Sequence, residues 1–255
     1  MLDNLDERIE KLTTAVRHLR DGQLYWVEKV TEALSGPSET SLMQSDLLNS
    51  MSAYDFGDIL KIHHIFSAEP FTKDKFEYAL VQVLGWHGKQ AALATKGNPG
   101  HDATVDGQRF SLKTQADKGI KATEIWISKF MEMGKGKWGK HESELGPLRD
   151  AFLEHLARYD RILTLRAISK APNWHYELVE VHKAVLERAK LGVLQMKRDS
   201  KQHPKPGYCR VQDDEGHPLF ELYFDGGTER KLQIKALQKS ACTVHAEWKF
   251  TQSPQ

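Results

Sequence analysis

Asp102, Ser111 and Lys113 sit close together in one stretch, GNPGHDATVDGQRFSLKTQ, residues 97–115. The stretch reads as a turn, a strand beginning at Asp102, a tight Asp106-Gly107 turn and a second strand. Asp-Gly between alternating segments is a strong two-residue hairpin signal. Side chains alternate faces along a strand, so Ser111 and Lys113 point one way and Leu112 the other. A carboxylate and an ammonium held together on one face suit a metal ion and an anionic oxygen. The same spacing also suits the solvated polar face of an ordinary hairpin, since most charged side chains are exposed. Spacing alone leaves both readings open.

The chain has 255 residues, enough for one large domain, and its 40% hydrophobic content can fill a core. It is read as one domain over 1–255, with a helical section at 1–70 and a main core at 71–255 that carries the hairpin. No apolar run approaches the length of about 18 residues that a membrane span needs. The start, MLDNLDERIEKL, is charged and unlike a signal peptide. Cys209 and Cys242 are too few and too far apart for a zinc site. They could pair, but reduced thiols in an intracellular, cytoplasmic protein are the simpler reading. Net charge is only +1, which excludes a uniformly basic DNA-coating protein. Charge is unevenly spread, however. Residues 1–80 hold fourteen acids against eight Lys or Arg, and residues 183–210 hold eight Lys or Arg against two acids. One end could therefore face a polyanion.

Helical spacing runs through Leu5, Ile9, Leu12, Val16 and Leu19, then Leu24, Val27, Val30 and Leu34, and predicts a buried stripe. Asp21-Gly22 divides the run and Gly36-Pro37 ends it. A further short helix is expected after residues 38–40, with Leu42, Leu47 and Leu48 inward. This section would pack on the main sheet or on a second copy of the chain. Residues 72–85 predict a helix with Thr72 as N-cap and Phe76, Ala79, Leu80, Val83 and Leu84 inward. Glu77 lies among them; a carboxylate there is costly to bury unless paired, and taken alone it reads as a residue at the helix boundary. Residues 123–133 read as an amphipathic helix, with a short strand at 125–128 as the alternative. A loop with Lys135, Lys137, Trp138 and Lys140 follows, then a helix over 142–158. Strands are expected at 162–168 and 175–181, a helix at 182–190, a basic loop at 197–206, and four strands from 208 to 250. Helices followed by a hairpin and many strands predict a mixed α/β or α+β fold.

A helix carrying Glu77, an aspartate opening a hairpin and a residue-x-lysine pair at Ser111-Leu112-Lys113 together resemble the PD-(D/E)xK nuclease superfamily. The resemblance spans residues 72–133. NPGHD, SLKTQ, KPGY at 205–208 and FDGGTERKLQIK at 224–235 look more narrowly like type II restriction endonucleases of the SmaI kind. The resemblance implies a restriction-endonuclease-like mixed central β-sheet flanked by helices, and Mg²⁺-dependent hydrolysis of double-stranded DNA by a homodimer. His101 stands where the family's proline would be, and Ser111 where Asp or Glu is usual. Some enzymes of this pattern bring a glutamate from a helix instead. Glu77 is the first candidate, and Glu124, at the start of the next predicted helix, the second. Asp102 would hold the metal with one of these, helped by the Leu112 carbonyl, and Lys113 would act on the attacking water or the developing charge.

Recognition is expected from elsewhere. Guanine is best read by Arg or Lys and cytosine by an acid, so Glu229, Arg230 and Lys231 after the Asp225 turn suit a short G·C-rich, palindromic site. They also suit a solvated hairpin tip. Lys197, Arg198, Lys201 and Lys205, with Lys135 and Lys137, suit phosphate contacts, which position without specifying. Rival readings are a DNA-binding protein that lost its metal site at Ser111, and a structure-specific repair nuclease. Adjacent His63 and His64, if on a strand, face opposite ways and make a poor single site. No GxSxG nucleophile elbow is present.

Overall fold

The computed structural model describes residues 4–95, 100–117, 119–134, 138–139 and 141–252. The chain begins with α1 (Leu5–Val16) and α2 (Asp21–Ser35), then β1 (Ser38–Leu42), α3 (Ser50–Phe66) and α4 (Lys73–Trp86). Then follow β2 (Ala91–Leu93), β3 (Ala103–Val105), β4 (Gln108–Gln115), β5 (Glu124–Glu132), α5 (Gly146–Leu156), β6 (Arg161–Ser169) and β7 (Asn173–Glu180). The last elements are α6 (Lys183–Glu187), β8 (Val193–Met196), β9 (Gly207–Gln212), β10 (Pro218–Phe224), β11 (Lys231–Gln238) and β12 (Thr243–Thr251). No helix among the described residues is long and apolar enough to cross a membrane.

The strands form two sheets. A seven-stranded sheet runs β1-β12-β7-β6-β4-β3-β2, and a five-stranded sheet runs β5-β11-β10-β9-β8. The larger sheet is mixed: β4 pairs with β6 in parallel, and its other pairs are antiparallel. Each face of this sheet closes one core. On one side Phe56 and Leu60 of α3 and Phe76, Leu80 and Leu84 of α4 cover Phe110, Leu112, Leu163 and Leu165. On the other, Phe152 and Leu156 of α5 and the inner face of the five-stranded sheet meet Ile162 and Val179. The alternation of β4 is thus divided between two interiors. Leu112 enters the helix-side core, whereas Ser111 and Lys113 face the second sheet.

The Asp-Gly turn forms as its chemistry predicts. Asp106 and Gly107 both have positive φ, 49° and 81°, and β3 pairs with β4 in the register Ala103 to Phe110. That geometry matches the strand twist of a two-residue hairpin. The expected turn at 97–99 lies outside the described residues.

Several expectations need correction. The short helix after residues 38–40 is instead β1, an edge strand paired with β12 from Ser38–Phe250 to Leu42–Ala246. Leu47 and Leu48 are buried, but ahead of α3 rather than on a helix of their own. His63 and His64 lie on α3, not on a strand. His64 stacks on Trp174 at 3.7 Å and hydrogen-bonds the Tyr176 hydroxyl at 2.8 Å, as a core histidine does. Burial pushes its pKa down to about 4. Residues 124–132 are strand β5, not a helix. The α1 stripe is not buried within the chain: Leu5, Ile9 and Leu12 are 65%, 53% and 62% exposed. Cys209 and Cys242, by contrast, are free thiols, as expected.

Candidate active site

Asp102 is held by its own hairpin. Its N–H donates to the Phe110 carbonyl at 2.8 Å, one residue short of the Ser111 partner that the β3–β4 register would give it. Its Oδ2 accepts the Leu112 N–H at 2.7 Å and lies 3.5 Å from Ser111 Oγ, a marginal contact. Its Oδ1 accepts from Lys73 Nζ at 2.7 Å. The same ammonium lies 2.6 Å from Glu77 Oε1, one helical turn along α4. Glu77 and Asp102 are therefore brought together through one shared cation. The Glu77 contact is a close charge pair off the donor direction, so this buried oxygen keeps no aligned hydrogen bond.

Lys113 lies beside this pair, its Nζ 5.7 Å from the centre of the Phe130 ring. Burial pushes its pKa down; the charges of Asp102 and Glu77 act in the opposite sense, and those of Lys73 and Lys129 add to the depression. It makes no ion pair among the described residues. Thr164 faces it across the β4–β6 register, and the buried Thr164 and Tyr159 hydroxyls both lack hydrogen-bond partners among the described residues. Burial first, and then Asp102, raise the Tyr159 pKa, so the phenol stays protonated. His155 nearby is driven down to about 4 by burial and by Arg158 and Lys113. A cleft opens over this cluster, lined by Lys73, Lys113, Thr114 and residues 127–131 of β5.

Glu124 is not brought to Asp102. It opens β5 rather than a helix, and its carboxylate pairs with Lys121 at 3.1 Å and accepts from Trp126 Nε1 at 3.3 Å. Leu112 supplies an N–H to Asp102, and its residue pairs in register with Leu163. Sequence reasoning missed Lys73 and Lys129. Lys73 carried one signal, its i,i+4 spacing from Glu77.

The basic stretches meet at Trp138. Its indole N–H donates to the Lys205 carbonyl at 2.8 Å, and the Arg230 guanidinium lies 5.6 Å over its ring. Lys205 Nζ closes its own loop on the carbonyls of Arg198 and Ser200 at 2.7 and 2.8 Å. Arg198 pairs with Glu142, and Glu229 with Lys231. Lys197 and Lys201 make no ion pair among the described residues. Lys135, Lys137 and Lys140 lie outside the described residues. The β5–β11 pairing, with Met131 opposite Leu232, ties this basic region to the cleft wall.

Gly226 locks the 225–231 turn onto that loop, because a Cβ there would meet the Pro204 carbonyl oxygen at 1.9 Å. Gly226→Ala is expected to cost about 1–3 kcal/mol, as overpacking does. Urea unfolding checks it. A wild-type value would show that the turn relaxes freely.

A second ligand set, Asp46, Glu180 and His245, is already filled by the Arg161 guanidinium, which pairs with both carboxylates. It is an internal ion network.

The sequence matches the SmaI family, described as type II site-specific deoxyribonuclease, over residues 12–250. It is 42% identical over 242 residues to the type II restriction enzyme SmaI of Serratia marcescens, covering 92% of each chain. No solved structure matches. A match over nearly the whole length includes both the hairpin with its acidic and basic residues and the Trp138 region, and the chain belongs to the SmaI family of type II site-specific deoxyribonucleases.

Proposed function

We propose that this protein is a Mg²⁺-dependent homodimeric endonuclease that cuts double-stranded DNA at a short, palindromic, G·C-rich site. The observation that carries this reading is the convergence of Asp102 and Glu77 on one ammonium beside Lys113. Mg²⁺ is a hard cation, held through one or two carboxylates plus water and phosphate oxygens. The site fits it: two carboxylates already hold a cation between them, and Glu77 Oε1 is buried without an aligned donor. Asp102 and Glu77 would hold the metal, with the Leu112 carbonyl as a further ligand. The Lys121 pairing of the other acid supports Glu77 over Glu124. When bound, the metal supplies positive charge at the phosphate and acidifies water.

Ser111 contributes a neutral hydroxyl beside Asp102, so the second charge of the site comes from α4. Lys113 presents its ammonium to the cleft, where it orients the attacking water or stabilises charge developing on the phosphate. Lys129 lines the same cleft, its ammonium paired with Glu132. Arg230, Lys231 and Glu229 suit guanine and cytosine edges, and Lys197 and Lys201 suit phosphates. A palindrome cut on both strands calls for a two-fold dimer. The exposed Leu5, Ile9 and Leu12 stripe supports α1 as part of its interface, since a free helix of this length is marginal in water.

Unmodified phage DNA incubated with the purified protein and Mg²⁺ is expected to give discrete fragments, and none with EDTA. Retardation of DNA without cleavage by any divalent metal would overturn the catalytic reading.

A further inference from the structure

Lys73 is at the wrong end of its helix. It is the first residue of α4, where the macrodipole disfavours a cation, and it precedes its i,i+4 partner Glu77, the weaker order for such a pair. Neither helix rule accounts for it. What does account for it is the pair of carboxylates: Nζ lies 2.6 Å from Glu77 Oε1 and 2.7 Å from Asp102 Oδ1. Glu77 and Asp102 come from a helix and from a hairpin, and both side chains are only about one-fifth exposed, 19% and 21%. Two carboxylates this close repel unless a cation lies between them.

We propose that Lys73 is a placeholder for the divalent cation: its ammonium occupies the position between Asp102 and Glu77 in the metal-free protein and yields it when the metal binds. This rests on the assignment of those two carboxylates to the metal. Three observations support it. The ammonium touches one oxygen from each carboxylate, as a shared cation does. The Lys73 side chain is 40% exposed, so it has a route out. It also lines the cleft with Lys113 and β5, so the departing ammonium moves into the space a DNA phosphate would enter. The exchange needs no backbone movement, because a lysine stem is long and flexible. It keeps the acid pair assembled without metal, and it makes metal binding a competition.

A lysine that only braces the site predicts the opposite result on removal. Losing a brace loosens the carboxylates and weakens metal binding. Losing a competitor tightens it. The test is Mn²⁺ titration calorimetry on the full chain without DNA, for wild type, Lys73→Met, Lys73→Gln and Asp102→Asn, with melting in EDTA alongside. Lys73→Met is expected to bind Mn²⁺ about tenfold tighter or more, the gain when a site free roughly one-tenth of the time becomes free. Its melting temperature in EDTA falls below wild type and recovers with Mn²⁺. Lys73→Gln, with a donor but no charge, ranks between the two and serves if the methionine variant does not fold. Equal or weaker binding by both Lys73 variants, with binding abolished in Asp102→Asn, overturns the placeholder. Binding unaffected by Asp102→Asn instead overturns the metal-site assignment beneath it.

Discussion

Lys113→Met loses DNA cleavage by about 10²–10³-fold while melting no lower than the wild-type protein. The first half follows from the cost of removing one preorganised electrostatic group from a site where charge develops, about 3–4 kcal/mol. The second half follows from the surroundings of Lys113. Its ammonium is buried enough for desolvation to dominate its pKa, its long stem runs beside Phe130, and it has no ion pair among the described residues. Removing an ammonium that makes no ion pair among the described residues leaves no orphaned carboxylate there, and methionine fills the same channel with apolar atoms. Function and stability are therefore expected to move apart, as they do where a site is kept at the expense of the fold. Single-turnover cleavage and thermal melting measure the two halves on one preparation. Wild-type cleavage would remove Lys113 from the chemistry. Normal cleavage rates with a large drop in melting temperature would make it a structural residue.

The hairpin carrying Asp102 and Lys113 was legible because its signals are local. Asp106-Gly107 sets the turn and a strict two-residue period sets the faces. Helix α4 was legible for the same reason, with all five predicted inward residues buried. Strand β5 was not, and its irregularity explains why. Ile125 and Ile127 are two apart, but the next buried residue is Phe130, and the pairing with β11 shifts register between Leu232 and Ile234 and again between Ile234 and Leu237. A bulge inserts a residue and turns a period of two into a mixture of two and three, which imitates a helix. Strand β1, SETSL, has no apolar alternation at all, and only its distant partner β12 makes it a strand. The α1 stripe reads as buried because its period is right, but nothing in a sequence says which molecule covers it. Lys73 was hidden differently. Its ties to Asp102 cross 29 positions, and a lysine in a first helical turn looks like surface.

Glu177→Ala is expected to be the most destabilising of these substitutions, at about 3–5 kcal/mol, the cost of leaving a buried charge unpaired. Arg166 is fully buried, and its guanidinium pairs with Glu177 across the β6–β7 register. It also donates to Gln115 Oε1 at 2.8 Å, to the Lys121 carbonyl at 2.8 Å and to the Glu124 carbonyl at 2.6 Å. The second Glu177 oxygen takes Lys239 Nζ at 2.8 Å. One carboxylate thus neutralises the cation that fastens β4, β6 and the start of β5 to one another. Its loss strands that cation, because the three remaining acceptors are neutral. For a chain of this size the shift in melting temperature is roughly 10 °C. Glu177→Gln keeps an acceptor for Arg166 and loses only the charge, so it falls between alanine and wild type. Replacing Arg166 as well, by Met, does not restore stability fully, since Gln115 and two carbonyls then lose their donor. Urea unfolding of the three variants gives the ranking, and a Glu177→Ala cost below about 1 kcal/mol, the level of an exposed ion pair, would mean that water reaches the guanidinium. Because residues 127–131 of β5 wall the cleft over Lys113, the network that seats the start of β5 also helps to hold that wall against the β3–β4 hairpin.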